Sequence, residues 1–229
     1  GLLKCARHED LIMINEYKNP VFFDDSVTHD FIVAGWTGRN ESDVLSHINE
    51  LRNIGVEPPE ATPTFCRLSP RLLTKSDEIA VVGPETSGEV EFCIINHDDE
   101  IYISVCSDHT DRKIETIDIQ KSKQLCDKPV GRVCWRFDDV KNHWDELFLK
   151  SYVEGVDGVR LYQEGSVRNI KLPEVLVEDF GGVFPRGAVM FCGTIPVIGM
   201  VMGGFRFSAE IVDPVLNRRL ELSYKIKEI

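Results

Sequence analysis

Two glutamates, Glu89 and Glu91, lie one residue apart in a segment that otherwise has the pattern of a buried strand. The segment reads Gly88-Glu-Val-Glu-Phe-Cys-Ile-Ile95. Successive side chains of a strand point to opposite faces, so the two glutamates share one face while Val90 and Phe92 fill the other. Two carboxylates held side by side repel each other and need a cation, a shared proton or free access to water. The two glutamates must therefore lie beside water or a cation, or share a proton.

A third carboxylate, Asp108, follows the next predicted strand. Residues 101–106 have a strand pattern after the polar stretch 96–100, which predicts a hairpin. If Ile95 pairs with Ile101, Asp108 emerges at the end of the hairpin that carries the glutamates. In that register Asp108 faces the opposite side of the sheet, and it joins the glutamates only if the strand ends or a bulge re-aims it. A different turn length would change the register.

Strand patterns outnumber helix patterns along the rest of the chain. The 229 residues are 42% hydrophobic and 28% charged, which is typical of a globular protein with a substantial core. We expect a single domain over residues 1–229, with an N-terminal strand or extension over 1–30 and the core over 31–229. The fold class predicted is α+β and mostly β. Further strands are expected near 21–23, 31–34, 158–163, 188–192, 205–212 and 220–226, with strand and loop pieces over 64–86.

Two amphipathic helices are predicted. Asn40 is a suitable N-cap for the first, and Gly55 is a suitable stop. Its apolar stripe consists of Val44, Leu45, Ile48 and Leu51. The second runs from Asp138 to about Glu154, and its buried side consists of Val140, Trp144, Leu147, Phe148 and Tyr152.

Charge and cysteine content exclude several classes of partner. The net charge of −12 argues against nucleic acid and anionic membranes as partners. No apolar run approaches the roughly 20 residues of a membrane span, and the N-terminal residues lack the pattern of a signal peptide. The seven cysteines are an odd number without a Cys-x-x-Cys motif, and most lie in apolar runs. These features predict buried free thiols in a reducing compartment, and thus a cytoplasmic protein.

A cluster of Glu89, Glu91 and Asp108 would offer only oxygen ligands. Such a set suits Mg²⁺, Mn²⁺ or Ca²⁺ rather than Zn²⁺ or Cu²⁺. With three protein ligands, an octahedral ion keeps positions open for water or substrate. The alternative is a pair of glutamates on a solvated face, which is the commoner arrangement on antiparallel sheets.

Other polar residues could complete such a site. His47 and Glu50 are neighbours on the first helix, and a carboxylate beside an imidazole makes it a better base. Gly193 and Thr194 belong to a glycine-bounded turn that could present a hydroxyl and backbone N–H groups, although a plain structural turn fits equally well. Positive charge for an anionic substrate could come from four basic side chains that follow Asp108 in the chain: Arg112, Lys113, Lys121 and Lys123. The alternative interpretation is that these side chains form a solvated charge run.

Taken in order, these motifs resemble the fumarylacetoacetate hydrolase family. The matching segments are His47-Ile-Asn-Glu50, Pro63-Thr-Phe-Cys-Arg67, Glu89-Val-Glu91, Ser107-Asp-His-Thr-Asp-Arg112, Lys123 and Gly193-Thr194. Each motif is short, and the likeness rests on their order along residues 31–200. The chain departs from the family pattern at Ser107, where the family has asparagine, and at Lys113, where it has aspartate. Lys121 competes with Lys123 for the role of the family's lysine.

The resemblance implies a fold, a cofactor and a substrate class. The fold would be a mixed β-roll or sandwich with a few flanking helices, and the protein a homodimer. Glu89, Glu91 and Asp108 would hold Mg²⁺, or else Mn²⁺ or Ca²⁺. The substrate would be a small anion, either a 2-oxo acid or a 1,3-dicarbonyl compound.

Within this resemblance, the residues take the following roles. His47, oriented by Glu50, would activate water on a helix that closes as a lid, and Gly193 and Thr194 would contact the substrate. The ion would hold the enolate left by C–C cleavage, and Lys123 and Arg112 would add positive charge.

Three alternatives stay open. A decarboxylase, tautomerase or isomerase would use the same metal site without an attacking water. A non-catalytic module could have the same fold and bind only a metal or ligand. A structural β-sheet protein could expose the carboxylates to water, and it would gain no stability from Mg²⁺ or Mn²⁺.

Overall fold

The computed structural model of the protein describes residues 21–53 and 57–229. Residues 1–20 of the predicted N-terminal extension and the predicted helix stop at Gly55 lie outside the described residues. The strands are β1 (Val21–Phe22), β2 (Asp30–Gly35), β3 (Thr64–Leu68), β4 (Leu73–Thr74), β5 (Glu78–Val81), β6 (Thr86–Ser87), β7 (Val90–His97), β8 (Glu100–Ser107), β9 (Thr110–Asp111), β10 (Lys128–Pro129), β11 (Val133–Arg136), β12 (Phe148–Gly155), β13 (Gly158–Ser166), β14 (Ala188–Thr194), β15 (Arg206–Asp213) and β16 (Arg218–Glu228). The α-helices are α1 (Glu41–Asn53), α2 (Arg112–Glu115), α3 (Ile119–Gln124), α4 (Phe137–Val140) and α5 (Pro173–Phe180), and 3-10 turns lie at Asp25–Val27, Pro70–Leu72, Lys141–Glu146 and Val167–Asn169.

Two sheets organise the described residues. The larger has seven strands in the order β1-β11-β8-β7-β14-β2-β3, and the smaller has five in the order β13-β12-β15-β16-β5. Most pairs are antiparallel, while β14 pairs with β2 and β16 with β5 in parallel. The predicted α+β, mostly β fold is confirmed, and the strand candidates of the C-terminal third all form.

The seven-stranded sheet is buried on both faces. One face packs against the five-stranded sheet, and Val90, Phe92 and Ile94 contribute to that core as predicted. The other face, which includes Cys93 and Ile95, packs against a second apolar cluster that contains side chains from outside the sheet: Phe23, Leu72, Leu73 and Val130. Burial on both faces explains why β7 is apolar along most of its length, as central strands are. Glu89 and Glu91 belong to this second face.

The β7–β8 hairpin forms, but the register predicted for it is wrong by one residue. Ile95 lies opposite Tyr102 rather than Ile101, because the turn contains only Asp98 and Asp99. Both turn residues have positive φ, 53° and 65°, as a tight two-residue hairpin turn requires. The shift matters for Asp108. In the observed register its N–H bonds to the Glu89 carbonyl oxygen at 3.1 Å, so Asp108 lies opposite Glu89 on the same face and no bulge is needed.

The first predicted helix is largely correct. It begins at Glu41, after Asn40, whose Oδ1 accepts the Ser42 N–H at 3.0 Å as an N-cap does. Its stripe is only half-buried at Val44 and Ile48, and Leu45 is 57% exposed. The helix therefore lies on the surface rather than against the core; the Leu51 side chain is outside the described residues.

The second predicted helix is wrong beyond residue 146. Val140 and Trp144 are buried within α4 and the 3-10 turn that follows, and Leu147 is buried directly after that turn, at the expected helical spacing. From residue 148 the period of burial changes to two, because the chain is now strand β12. Leu149, Ser151 and Val153 are buried, while the residues between them are more exposed. Phe148, predicted to be buried, is 41% exposed.

Two further expectations concern thiols and membranes. All six described cysteines are free, and five are buried, so the prediction of buried free thiols is confirmed for those five. The sixth, Cys66, is half-buried. Cys5 lies outside the described residues. No described helix is both long enough and apolar enough to cross a membrane.

Candidate metal centre

Glu89, Glu91 and Asp108 converge at one end of the β7–β8 hairpin. Each offers one carboxylate oxygen, and these three atoms all lie within 4.8 Å of one another. Glu91 is 2% exposed and Asp108 is 1% exposed, while 20% of the Glu89 side chain remains accessible. The alternative of a solvated sheet face is therefore wrong, and the repulsion between the carboxylates must be offset by positive charge or by a proton.

Three cationic side chains surround the carboxylates. The Lys123 ammonium bonds to Asp108 Oδ2, and the Lys128 ammonium lies 3.0 Å from Asp108 Oδ1. Arg112 Nη2 lies 3.1 Å from Glu89 Oε1. Charge-assisted bonds of this kind are what make buried carboxylates tolerable. The site is thus a compact cluster of three acidic side chains and three cationic side chains.

Helix α3 determines which of Lys121 and Lys123, the two candidates from the sequence, lies at the cluster. Asp118 caps this helix by accepting the Lys121 N–H at 2.9 Å. Lys123 then points inward and is 8% exposed, whereas the Lys121 side chain is 79% exposed and pairs with Asp118. The lysine that lies at the cluster is therefore Lys123.

Lys128 was not identified from the sequence. It lies on the two-residue strand β10, which pairs in parallel with β4, and its side chain is fully buried. Its ammonium also bonds to the backbone oxygen of His109. Strand β10 is too short to show a period and Lys128 belongs to no recognised spacing, so nothing local signals that this lysine turns inward.

Arg112 is held in a fixed orientation. Asp111 caps the start of α2, and Arg112 Nε donates to Ser87 Oγ at 2.6 Å. Its Nη1 donates to Glu115 at 3.0 Å, which leaves Nη2 for Glu89. The neighbouring Lys113 is exposed and takes no part in the cluster.

The pKa values of the three acids are pushed apart. Burial raises the pKa of Glu91 well above its usual range, and the charges of Asp108 and Glu89 raise it further. Burial also raises the pKa of Glu89, although Arg112 opposes the shift. For Asp108 the burial effect is outweighed by Lys123 and Lys128, which hold its pKa well below the usual value. Of the three carboxyls, Glu91 is therefore the one whose charged form is least favoured.

The residues present fit a hard divalent ion. The donor set is all oxygen, the three atoms are close enough to share one ion, and Glu89 leaves the site partly open to solvent. Mg²⁺ and Mn²⁺ prefer such carboxylate oxygens and retain open coordination positions when the protein supplies only three ligands. An ion would also offset the repulsion that raises the pKa of Glu91.

Gly193 and Thr194 lie beside the cluster, but their polar groups are engaged within the protein. The Gly193 N–H donates to Glu91 Oε2 at 2.7 Å, and the Thr194 hydroxyl donates to the Val90 carbonyl oxygen at 2.7 Å. Only glycine fits at position 193, where φ is +96° and a Cβ would lie 1.9 Å from Thr37 Oγ1. Their contact with a substrate stays a prediction, and it would require these groups to exchange their present partners.

His47 and Glu50 are neighbours on α1, as predicted, with 3.6 Å between Nδ1 and Oε2. Both are exposed, at 59% and 72% of the side chain, and the His47 ring lies 5.6 Å from the Trp36 ring. Across residues 21–53 and 57–229, no hydrogen bond or ion pair joins His47 to the three carboxylates. Its role as a base stays a prediction.

His109, although adjacent to Asp108 in sequence, faces away from the cluster. It is fully buried, with Nδ1 3.0 Å from the Tyr224 hydroxyl and Nε2 2.9 Å from Thr86 Oγ1. Burial, reinforced by Lys128 and Arg112, lowers the pKa of His109 to about 3, so the ring is neutral at physiological pH.

Comparison with known sequences identifies one family. Residues 34–224 match the family described as "Protein of unknown function (DUF2848)". None of the proteins with curated annotation matches the chain.

Comparison with solved structures identifies the fold. A yeast protein of the fumarylacetoacetate hydrolase family has 16% identity and a TM-score of 0.64, with 89% of this chain and 95% of that one covered. A 2-hydroxyhepta-2,4-diene-1,7-dioate isomerase from Mycobacterium marinum has 16% identity and a TM-score of 0.63, with 88% and 75% covered. A 2-keto-3-deoxy-D-arabinonate dehydratase, solved with magnesium and 2,5-dioxopentanoate, has 19% identity and a TM-score of 0.58, with 87% and 73% covered. The predicted fold of the fumarylacetoacetate hydrolase family is thereby confirmed.

Proposed function

Since the chain belongs to the DUF2848 family, whose function is unknown, we propose its function from the site itself. The protein is a divalent-metal-dependent hydrolase or lyase that cleaves a C–C bond in a small 2-oxo acid or 1,3-dicarbonyl compound. The observation that carries this proposal is the convergence of Glu89, Glu91 and Asp108 within 4.8 Å in a buried, partly open site. The structural relatives support it, since one was solved with magnesium and a dioxo acid and another is an isomerase of a dienedioate.

The three carboxylates would hold Mg²⁺ or Mn²⁺, which when bound supplies Lewis-acid polarisation of a substrate carbonyl. Lys123 and Arg112 keep the carboxylates in place and add positive charge beside them. They therefore favour an anionic substrate and stabilise the negative charge that develops on its oxygen when the C–C bond breaks. The burial of Asp108 and Glu91 strengthens these interactions, because water is largely excluded from them.

Hydrolysis also needs a base to activate water. His47 with Glu50 is the proposed base, because an imidazole can take the proton of an attacking water and the Glu50 carboxylate lies 3.6 Å from its Nδ1. The pair is exposed on α1, so hydrolysis requires α1 to approach the cluster when substrate binds.

A second candidate reaction is decarboxylation or tautomerisation on the same metal site. No hydrogen bond or ion pair among the described residues joins His47 to the carboxylates, which favours these reactions because they need no attacking water. A homodimeric assembly and a cytoplasmic location stay predictions from the family resemblance and the composition.

Product analysis in ¹⁸O-water distinguishes the two reactions. With Mg²⁺ or Mn²⁺ and an acylpyruvate (a 2,4-dioxo acid), hydrolysis is expected to place one ¹⁸O in the carboxylate of the released acid. A 2-oxodicarboxylic acid tests decarboxylation, which releases CO₂ and forms no new carboxylate that would carry ¹⁸O. If His47 is the base, His47→Ala lowers hydrolysis by about 10²- to 10⁴-fold.

The matched control for His47→Ala is His97→Ala. His97 also forms an exposed pair with a carboxylate, Asp98, at 3.6 Å, and it lies at the far end of the hairpin. This control is expected to keep full activity. If neither substrate turns over with any of Mg²⁺, Mn²⁺ and Ca²⁺, the enzyme proposal fails and a non-catalytic binding module becomes the better account.

A further inference from the structure

The side-chain amide of Gln163 joins the five-stranded sheet to the strand that carries the glutamates. Gln163 lies on β13 and is fully buried. Its oxygen accepts the Val90 N–H at 2.9 Å and the Ser151 hydroxyl at 2.8 Å. Its nitrogen donates to Thr194 Oγ1 at 2.8 Å and to the Ile195 carbonyl oxygen at 2.7 Å. Both acceptor sites and both donors of the amide are used, so its orientation is fixed.

Val90, the residue between the two glutamates, has both backbone polar groups bonded by side chains. Its N–H bonds to Gln163, and its carbonyl oxygen accepts the Thr194 hydroxyl. The reason lies in strand β14, whose pairing with β7 shifts between Phe191 and Thr194. The side chains of Gln163 and Thr194 thus bond to the β7 backbone at the irregularity.

The irregularity also places a donor on the metal-binding carboxylate. At Gly193 the chain turns with φ +96°, and its N–H points at Glu91 Oε2 rather than along the ladder. A β-bulge commonly re-aims a group in this way next to a functional site. Thr194 accepts from Gln163 directly after this turn, so the same amide supports both the Val90 peptide and the segment that holds Glu91.

We infer that Gln163 is a positioning residue for the metal centre, because it fixes the Glu89–Val90–Glu91 backbone and, through Thr194, the donor to Glu91. This inference rests on the proposed function, which requires the carboxylates to bind an ion. Without the amide, the buried Val90 N–H loses its partner and the Thr194 hydroxyl loses its anchor. The carboxylates then sample positions that bind an ion poorly. Mutating a group that orients metal ligands typically weakens the affinity for the metal by about 10- to 100-fold.

The test measures the Kd for Mn²⁺ from the electron paramagnetic resonance signal of the free ion, without any substrate. Gln163→Met keeps the size of the side chain and removes its four hydrogen bonds. The control is Asn96→Leu. Asn96 is another buried amide, and it lies on β7 at the end near the hairpin turn, where its Nδ2 donates to the Phe184 carbonyl oxygen at 2.7 Å. Both variants are expected to lose stability, but only Gln163→Met binds Mn²⁺ at least about tenfold more weakly. A folded Gln163→Met protein with the affinity of the wild type overturns the inference.

A second variant decides the question if Gln163→Met does not fold. Thr194→Val removes the hydroxyl that bridges Gln163 and Val90 while keeping the shape of the side chain. Weaker Mn²⁺ binding by Thr194→Val supports the inference, because a residue that only contacts substrate would leave the affinity for the ion unchanged. Unchanged affinity in Thr194→Val overturns it. A wild-type protein that binds no Mn²⁺ overturns the proposed function, and this inference with it, which is a different outcome from unchanged affinity in the variants.

Discussion

Replacing Glu91 with glutamine is expected to abolish the stabilisation of the protein by Mg²⁺ or Mn²⁺. An ion at one hundred times its Kd adds about 2.7 kcal/mol to the free energy of unfolding, which raises the Tm of a chain of this size by roughly 5 to 11 °C. Glu91 is the more buried of the two glutamates, and one of its carboxylate oxygens lies within 4.8 Å of the ligand oxygens of Glu89 and Asp108. An amide carries no charge and binds a hard cation poorly, so the variant loses this rise.

The variant is expected to fold without the ion. Burial, with the charges of Asp108 and Glu89, raises the pKa of Glu91 well above its usual range, so a neutral amide of the same size removes an unfavourable buried charge. Its oxygen can still accept the Gly193 N–H. The control is Glu78→Gln, an exposed glutamate on β5, which keeps the full shift in Tm. Equal shifts in Glu91→Gln and Glu78→Gln, measured by thermal denaturation with and without the ion, would contradict the prediction.

The second large effect is expected at Lys128. Lys128→Met removes one of the two ammonium groups that bond to Asp108, and it leaves the His109 carbonyl oxygen without this partner. Removing one partner of a buried ion pair costs about 3 to 5 kcal/mol because the remaining charge stays buried. The free energy of unfolding of a typical domain is about 5 to 15 kcal/mol, so this variant is expected to lose a large fraction of its stability. Urea denaturation at neutral pH measures it.

Lys121→Met is the control for Lys128→Met. Lys121 pairs with a carboxylate too, Asp118 at 2.8 Å, but its side chain is 79% exposed. Exposed pairs contribute little to stability, so this variant is expected to unfold at nearly the urea concentration of the wild type. If Lys128→Met proves as stable as Lys121→Met, the ammonium of Lys128 is not part of the charge balance around Asp108.

The fold could be predicted where periodicity was long and unambiguous. Alternation along residues 88–95 indicated a strand with two glutamates on one face, and the structure has that arrangement. The same reasoning failed near residue 147, where buried positions at helical spacing run directly into a strand. Val140, Trp144 and Leu147 satisfy the helix period, and Leu149 begins the period of two. A change of period within a few residues is difficult to detect, because each period needs several residues to show.

The hairpin register depended on the turn. Asp98 and Asp99 adopt positive φ in a two-residue turn, a conformation for which Asn-Gly is the usual signal. Without that signal the turn could have had any of several lengths, and each one-residue change in register moves Asp108 to the other face of the sheet. The convergence of Asp108 with the glutamates was therefore supported by the family resemblance, and the register supplies its physical reason.

The groups around the carboxylates were predicted only in part. Arg112 and Lys123 follow Asp108 closely in the chain and were named for that reason. Lys128 and Gln163 act through contacts that the topology brings together, one from a short parallel strand and one from the other sheet. Such long-range contacts leave no local pattern in a single sequence.

The most direct test of the metal centre is a crystal structure of the protein soaked with Mn²⁺ and oxalate. We expect an anomalous scattering peak between Glu89, Glu91 and Asp108, with oxygen distances of about 2.0 to 2.3 Å and oxalate in the remaining positions. Lys123 and Arg112 should remain beside the ligands. A crystal without Mn²⁺ at this site, in which Lys123 and Lys128 still bond to Asp108, Arg112 to Glu89 and the Gly193 N–H to Glu91, would contradict the account.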